Sequence, residues 1–279
     1  MGLKSFIKRA LLFLVKGVPT YKTTVEIKVS SPHNALENRN ILITGGNRGL
    51  GFSFAEKCLA EGACVIITGR DENKLKKACE QLGERSYYLV CDSTDVASFQ
   101  ELFIRAESLV NGKIDSLISN AGISFHERDF RNVTIDGWEK QFDTNLKGNF
   151  FIVQQFIQYL ETKADRKGNI VVISSERAQR SDDIPYGLTK TATNSFIKCI
   201  ASKVAFEGIR INGLGPGITS TDMTGVGKDG NYYSSSQTAK RYFVPEEVAE
   251  VVLFLLSDFS GCISGEIINC DLASYVCRW

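Results

Sequence analysis

The chain has 279 residues, 43% of them hydrophobic and 23% charged, which suits one large folded domain with an appendage better than two equal domains. Its formal net charge of +1 is unevenly spread: residues 1–40 carry seven Lys or Arg against two Glu, a net of +5, leaving the other 239 residues near −4. A body of that sign lacks the clustered cations that phosphate contacts require, so no nucleic acid is expected as a partner.

In chain order, Leu3, Phe6, Ile7, Ala10, Leu11, Leu14 and Val18 fall at helical spacing beside Lys4, Lys8, Arg9 and Lys16. This predicts a basic amphipathic helix over residues 3–18. Two readings of it stay open: a peripheral contact with a membrane surface, or packing on the body or on a partner subunit. Val25-Glu-Ile-Lys-Val29 alternates like a half-exposed edge strand. Residues 1–39 are therefore read as an extension, and residues 40–279 as the single folded domain.

From Asn40 onward, short apolar runs alternate with helical stretches. Ile41–Thr44, Cys64–Thr68, Tyr87–Cys91, Ser116–Ser119, Ile170–Ser174, Arg210–Gly215 and Ile267–Cys270 are rich in Val and Ile with little polar alternation. That pattern predicts strands of a parallel sheet buried on both faces. Helices are predicted over Leu50–Glu61, Asp71–Leu82, Val96–Asn111 and Pro245–Ser257, with Gly62, Asp71 and Gly112 as end signals. Repeated β-α-β units imply right-handed crossovers, hence an α/β fold with a doubly wound parallel sheet of the Rossmann type.

Eight cysteines, none in a C-x-x-C pair and most within apolar runs, predict buried free thiols. No secretory signal and no apolar stretch of about 20 residues is seen, so a cytoplasmic protein is expected, membrane-associated only through residues 3–18. With His33 and His126 alone, neither a histidine metal site nor a Ser-His-Asp triad is supported, and no metal is expected.

Thr44-Gly45-Gly-Asn47-Arg48-Gly49-Leu50-Gly51 joins the first strand to the first helix. Its glycines let the backbone approach a pyrophosphate closely, and the helix N-terminus adds free N–H groups and partial positive charge. The carboxylate that would accept from an NAD ribose is expected at the end of the second strand, where the chain reads Thr68-Gly-Arg70-Asp71. Arg70 stands there, and Arg48 lies in the loop, so two guanidinium groups are placed to pair with a 2′-phosphate and NADP(H) is favoured. The competing reading leaves Arg70 in solvent and gives the ribose to Asp71.

Tyr186-Gly-Leu-Thr-Lys190 opens a predicted helix running to Glu207, with Gly208 as its stop, Ser181-Asp-Asp183 as capping oxygens and Pro185 in its first turn. A spacing of four puts Tyr186 and Lys190 on one face. Tyrosine titrates at about 10, and a neighbouring ammonium favours the phenolate, which brings it toward useful acid–base chemistry.

Together these motifs make Ile41 to about Asp271 resemble the short-chain dehydrogenases/reductases. Thr44–Gly51 is similar to their T-G-x-x-x-G-x-G and Asn120-Ala121-Gly122 to their N-A-G; Pro216-Gly217 with Thr221 resembles the segment around the nicotinamide. The resemblance implies Tyr186 as proton donor to the substrate oxygen and Lys190 as its modulator and a ribose ligand. It implies Ser175 as polariser of the carbonyl, Asn145 as holder of a relay water, and Asp92 as an adenine contact, a helix cap being the alternative for Asp92. Homodimers or homotetramers through the tyrosine helix and the one before it are also implied, with Phe150, Phe151, Val153, Phe156, Phe196 and Ile200 as surface or as core. One departure stands out: the family commonly places the serine about 13 residues before the tyrosine, whereas Ser175 is 11 before it and Ser174 is 12.

Glu176-Arg-Ala-Gln-Arg180 follows the serine, and its charges point to a polar or anionic substrate, with Arg177 or Arg180 as a clamp; solvated loop charges are the alternative. Met223–Tyr242 reads as a lid, and His126, Glu127 and Arg128 as a facing wall. The expected activity is hydride transfer between NADP(H) and a carbonyl or alcohol, on a polar ketone, sugar or 3-oxoacyl-type compound. A nucleotide-sugar epimerase or dehydratase, and a non-catalytic NADP(H)-sensing scaffold, are the other readings.

Overall fold

The computed structural model describes residues 21–24, 34–227, 230–235 and 237–274. The predicted helix over residues 3–18 and edge strand Val25–Val29 lie outside them. Seven strands, Asn40–Thr44 (β1), Cys64–Gly69 (β2), Ser86–Val90 (β3), Ser116–Ser119 (β4), Gly168–Ile173 (β5), Ile209–Pro216 (β6) and Ile267–Cys270 (β7), meet the predicted runs to within two residues at either end. They pair in parallel in the order β3-β2-β1-β4-β5-β6-β7.

The strands read as unbroken apolar runs because both faces are covered. Ile41 and Ile43 of β1, Val65 and Ile67 of β2, and Val171 and Ile173 of β5 pack in one core. There they meet Gly49–Ala60 (α1), Glu72–Leu82 (α2) and Pro245–Leu256 (α7). The alternate residues Leu42, Ile66, Ile170 and Val172 join a second core on the other face. Its cover is Phe99–Val110 (α3), Asn149–Glu161 (α5) and Pro185–Val204 (α6). Within it Phe103 stacks on Phe156 and Tyr159, with ring centroids 5.3 and 5.4 Å apart. Burial pushes the Tyr159 phenol up to about 12, and its oxygen accepts from the Ile114 amide at 2.9 Å. The two-faced burial fails at the sheet edges, where β3 and β7 are only partly covered, since each has a neighbour on one side alone.

Helix ends follow local chemistry. The Asp71 carboxylate caps α2 by accepting from the Lys74 amide at 3.1 Å. α3 ends at Asn111 in the left-handed region, one residue before the predicted Gly112. Ile135–Phe142 (α4) and α5 form one rod interrupted by a π-helical turn, Asp143–Gly148. Such turns insert a residue into a helix and recur at functional sites.

One expectation is corrected here, and one open alternative is decided. Cys58 and Cys91 are buried, but Cys199 and Cys262 are exposed, because they sit on the outer face of α6 and in a surface turn. Val153 and Phe156, read as surface or core, are core, leaving the exposed Phe151 beside the edge-to-face contact of Phe150 with Phe196 at 5.7 Å. Among the described residues no helix is long and apolar enough to cross a membrane.

Candidate active site

The order of the sheet reverses between β1 and β4, so the loops leaving their C-terminal ends diverge and open a crevice. A cleft of about 990 Å³ lies there, within the range of a bound cofactor and substrate. Arg48, Arg70 and Asp92 line it on the β1-β2-β3 side; Ser175, Tyr186 and Lys190 line it on the β5 side. Gly45, Asn47, Gly49, Leu50, Asn120, Ala121, Gly122, Pro216, Gly217 and Thr221 also reach its wall.

Thr44, Gly51 and Asn145 do not line the cleft; they hold its wall from behind. The Thr44 hydroxyl accepts from the amides of Asn120 and Ala121, both at 2.9 Å, and Asn120 Nδ2 donates back to Thr44 O at 2.9 Å. This ties the N-A-G segment to the glycine loop. A Cβ at Gly51 would stand 2.3 Å from Gly45 O, so only glycine lets α1 start this close to the loop. Asn145, fully buried in the π-helical turn, grips Ile123 with both ends of its amide, accepting from the amide N and donating to the carbonyl at 2.8 Å.

Pro185 opens α6 as predicted, yet Ser181, Asp182 and Asp183 do not cap it: its N-cap is Ile184, without a side-chain partner. Asp182 instead takes the Arg177 guanidinium, with Nη2 on Oδ1 at 2.7 Å, and Asp183 accepts from the Phe130 amide at 3.1 Å. The serines divide cleanly. Ser174 is buried and donates to Asn194 Oδ1 at 2.6 Å, whereas Ser175 lines the cleft with Tyr186, close enough for its hydroxyl to favour the phenolate.

Lys190 lies under the ring, its Nζ 5.7 Å from the Tyr186 centroid and donating to Ile173 O at 2.7 Å. Burial brings the ammonium down to about 8. Burial also pushes the Tyr186 phenol up, while the Ser175 hydroxyl and the Arg177 charge pull it down and Glu176 adds to the rise. The sequence pointed to Lys190 as the group favouring phenolate. In this arrangement its ammonium faces a strand carbonyl, and Arg177 supplies the nearby positive charge.

Residues 39–231 match the family described as short chain dehydrogenase. This chain belongs to that family. A 3-oxoacyl-[acyl-carrier-protein] reductase of Aquifex aeolicus is 32% identical over 84% of this chain and 96% of its own. A 3alpha-hydroxysteroid dehydrogenase of Mediterraneibacter gnavus is 29% identical over 86% of this chain and 98% of its own. The crystal structure of a putative gluconate dehydrogenase from Agrobacterium tumefaciens superposes with a TM-score of 0.80 at 27% identity, covering 88% of this chain and all of that one. As a short chain dehydrogenase, the protein is an oxidoreductase that acts on a CH–OH or C=O group of a small molecule with a nicotinamide cofactor.

In this dehydrogenase two arginines stand on the β1-β2-β3 side of the cleft. Arg70 is exposed, and Arg48 stands 4.0 Å from Asp222 across the cleft mouth with both side chains largely in solvent. Asp92 Oδ1 accepts from the amide and hydroxyl of Thr94, both at 2.9 Å, a local turn and not the helix cap weighed as its alternative, since the helices that follow have Asp95 and Ser98 at their N-caps; the residue borders the cleft. Of the predicted facing wall only His126 borders the cleft, its Nε2 2.9 Å from Met223 O. Glu127 is turned to Gln141 at 2.6 Å, and Arg128 is exposed away from the cleft. Within the predicted lid, Arg241 forms a fork with Glu247 at 2.8 and 2.6 Å, and Tyr233 stacks on Tyr21 at 5.1 Å. Sequence reasoning missed Asp182 and Asn194, whose roles come from long-range partners that no local pattern marks.

Proposed function

We propose that this dehydrogenase reduces a polar ketone of the 3-oxoacyl type with NADPH, Tyr186 giving the proton. The observation that carries the reading is the convergence of Ser175, Tyr186 and Lys190 on one cleft with Arg48 and Arg70, the Lys190 ammonium 5.7 Å from the Tyr186 ring.

The residues present fit a dinucleotide. The close approach at Gly51 and the absence of a side-chain cap on α1 leave backbone N–H groups for a pyrophosphate. Arg48 and Arg70 suit a 2′-phosphate. Asp71, the acid that would otherwise hold a ribose, caps α2 and does not line the cleft. Asn47, Gly49 and Leu50 would border the phosphates, Asp92 the adenine, and Asn120–Gly122 with Pro216, Gly217 and Thr221 the nicotinamide half.

When bound, the reduced nicotinamide supplies a hydride to the carbonyl carbon. Ser175 donates a hydrogen bond to the carbonyl oxygen and polarises it. Tyr186 passes its phenolic proton to that oxygen as the alcohol forms. Lys190 has three N–H groups, one of them on Ile173 O, and offers the others to the ribose. The Asn145 main-chain carbonyl accepts from Asn149 Nδ2 at 2.7 Å, and as the relay residue it would hold a water with its other lone pair. Glu176 and Arg180 border the substrate end and favour a polar compound, and the 3-oxoacyl reductase relative supports the class.

The test is NADPH oxidation with an acetoacetyl thioester, a keto-sugar acid and a steroid ketone, with Tyr186→Phe as control and dissociation constants for NADPH and NADH. Fastest turnover of the thioester is expected, with NADPH bound more tightly. Preference for the steroid overturns the substrate class, and tighter NADH binding overturns the cofactor. The exposed Phe151 beside Phe150 and Phe196 supports a homodimer or homotetramer through α5 and α6, checked by size exclusion with light scattering.

A further inference from the structure

The eleven-residue step from Ser175 to Tyr186 holds five charged side chains, and two of them are joined. From Ser175 the chain enters a short 3₁₀ turn, Glu176–Gln179, in which the Arg177 amide donates to the Ser175 hydroxyl at 3.3 Å. The Arg177 side chain then reaches forward to Asp182 with a two-point fork, Nε on Oδ2 and Nη2 on Oδ1. The Asp182 side chain is 1% exposed, and its Oδ1 also accepts from the Ile184 amide at 3.2 Å, at the threshold of α6.

Gly187 shows how closely this carboxylate sits on the helix. A Cβ there would lie 2.0 Å from Asp182 Oδ2, so glycine beside the tyrosine makes room for the acid. One ion pair thus binds the 3₁₀ turn after the serine to the segment that leads into the tyrosine helix.

We propose that the Arg177–Asp182 pair is a positioning device that closes the shortened connection and fixes Ser175 against the Tyr186 hydroxyl. It rests on the reading of Ser175 and Tyr186 as the acting pair. A planar guanidinium gripping a carboxylate at two points sets orientation as well as distance, which a single contact or a lysine does not. The fork also holds a positive charge near the phenol. The groups facing that phenol are Ser175, Glu176 and Arg177 from the 3₁₀ turn and Lys190 from α6, and Arg177 is the cation among them that favours its ionised form. Arg177 is a positioning residue here: its fork belongs to Asp182, so of the two arginines weighed as a substrate clamp only Arg180 keeps an exposed side chain at the cleft.

The test uses the full chain, with Arg177→Gln, Arg177→Lys, Asp182→Asn and the apolar double variant Arg177→Met with Asp182→Leu. The double variant keeps the fold where a single change leaves one buried charge alone. Acetoacetyl thioester turnover with NADPH, NADPH affinity, and ultraviolet difference titration of each protein against its Tyr186→Phe counterpart are measured. Expected is a fall in kcat on the order of 10²-fold with NADPH affinity unchanged, as displacement of a reacting group by about an ångström produces. Tyr186 ionisation should move up by about one pH unit in Arg177→Gln and in the double variant, and return toward wild type in Arg177→Lys, which keeps charge but not the fork. Wild-type turnover and titration in a folded Arg177→Gln or double variant overturn the proposal. Full turnover in Tyr186→Phe overturns the underlying reading instead.

Discussion

Replacing Lys190 with methionine tests whether the cofactor-free site holds a desolvated ammonium. The side chain is 3% exposed, and burial takes it from 10.5 to about 8. At 1.36 kcal/mol per unit, that displacement is a penalty of about 3 kcal/mol on the charged form. The sign follows from proton counting. Between the two values the unfolded chain holds a proton that the native state has released, so this group makes stability rise with pH from about 8 to about 10.5. Below 8 the penalty is constant. Lys190→Met removes the titration but leaves Ile173 O without its partner, a loss of about 1–3 kcal/mol, so absolute stabilities at neutral pH stay close. The informative quantity is the difference between the two proteins in urea-unfolding free energy, followed across that range without cofactor. It should be flat below 8, then shift by about 3 kcal/mol in favour of wild type. The Cys58 and Cys270 thiols and the Tyr159 phenol, all pushed up to about 12, weaken both folds in the alkaline range and cancel. Parallel curves for the two proteins refute the reasoning.

Ser175→Ala should lower turnover on the order of 10²-fold, the loss typical of a donor aimed at a reacting oxygen, while Ser174→Ala keeps turnover. The Ser174 change should instead destabilise the fold by about 1–3 kcal/mol by leaving Asn194 Oδ1 without its donor; steady-state kinetics and denaturant melts on both separate the roles. Gly51→Ala forces a Cβ against Gly45 O, and NADPH affinity by fluorescence titration should fall at least tenfold, with about 1–3 kcal/mol of stability lost to overpacking. Arg70→Ala should weaken NADPH about tenfold or more and leave NADH unchanged. Asp71→Ala should lower the melting temperature slightly and leave the ratio of the two affinities untouched; a change in that ratio returns the ribose to Asp71.

What the chain discloses locally and what it hides divide along physical lines. Both-face burial imposes Val and Ile in runs such as Val65–Ile67, so the strands were readable, as was a glycine loop standing between strand and helix. Asp71 announced its helix because a cap is a contact three residues long. The π-helical turn was invisible, since Asp143–Gly148 has no period of its own. The choice between Ser174 and Ser175 was equally hidden: it depends on Asn194, twenty residues on, and on which way the strand end points. Capping oxygens were expected at Ser181–Asp183 because those residues cap helices elsewhere; Arg177 claimed Asp182 first, a choice fixed by tertiary packing. Helical spacing and the family resemblance put the Lys190 ammonium beside the Tyr186 ring, where it lies, but neither says anything of the strand carbonyl it also meets.

The π-helical turn makes this site depend on a length. Deleting one residue from 143–148 lets the rod relax to the ordinary α period, and α4 then swings by about 100° relative to α5. Gln141 loses Glu127 and the Asn145 grip on Ile123 goes out of phase, while helix content barely changes. Substitutions along this rod erode the site by degrees; a single-codon deletion abolishes it at once. Among descendants of this sequence, gaps should therefore be absent from 143–148 even where the letters vary freely.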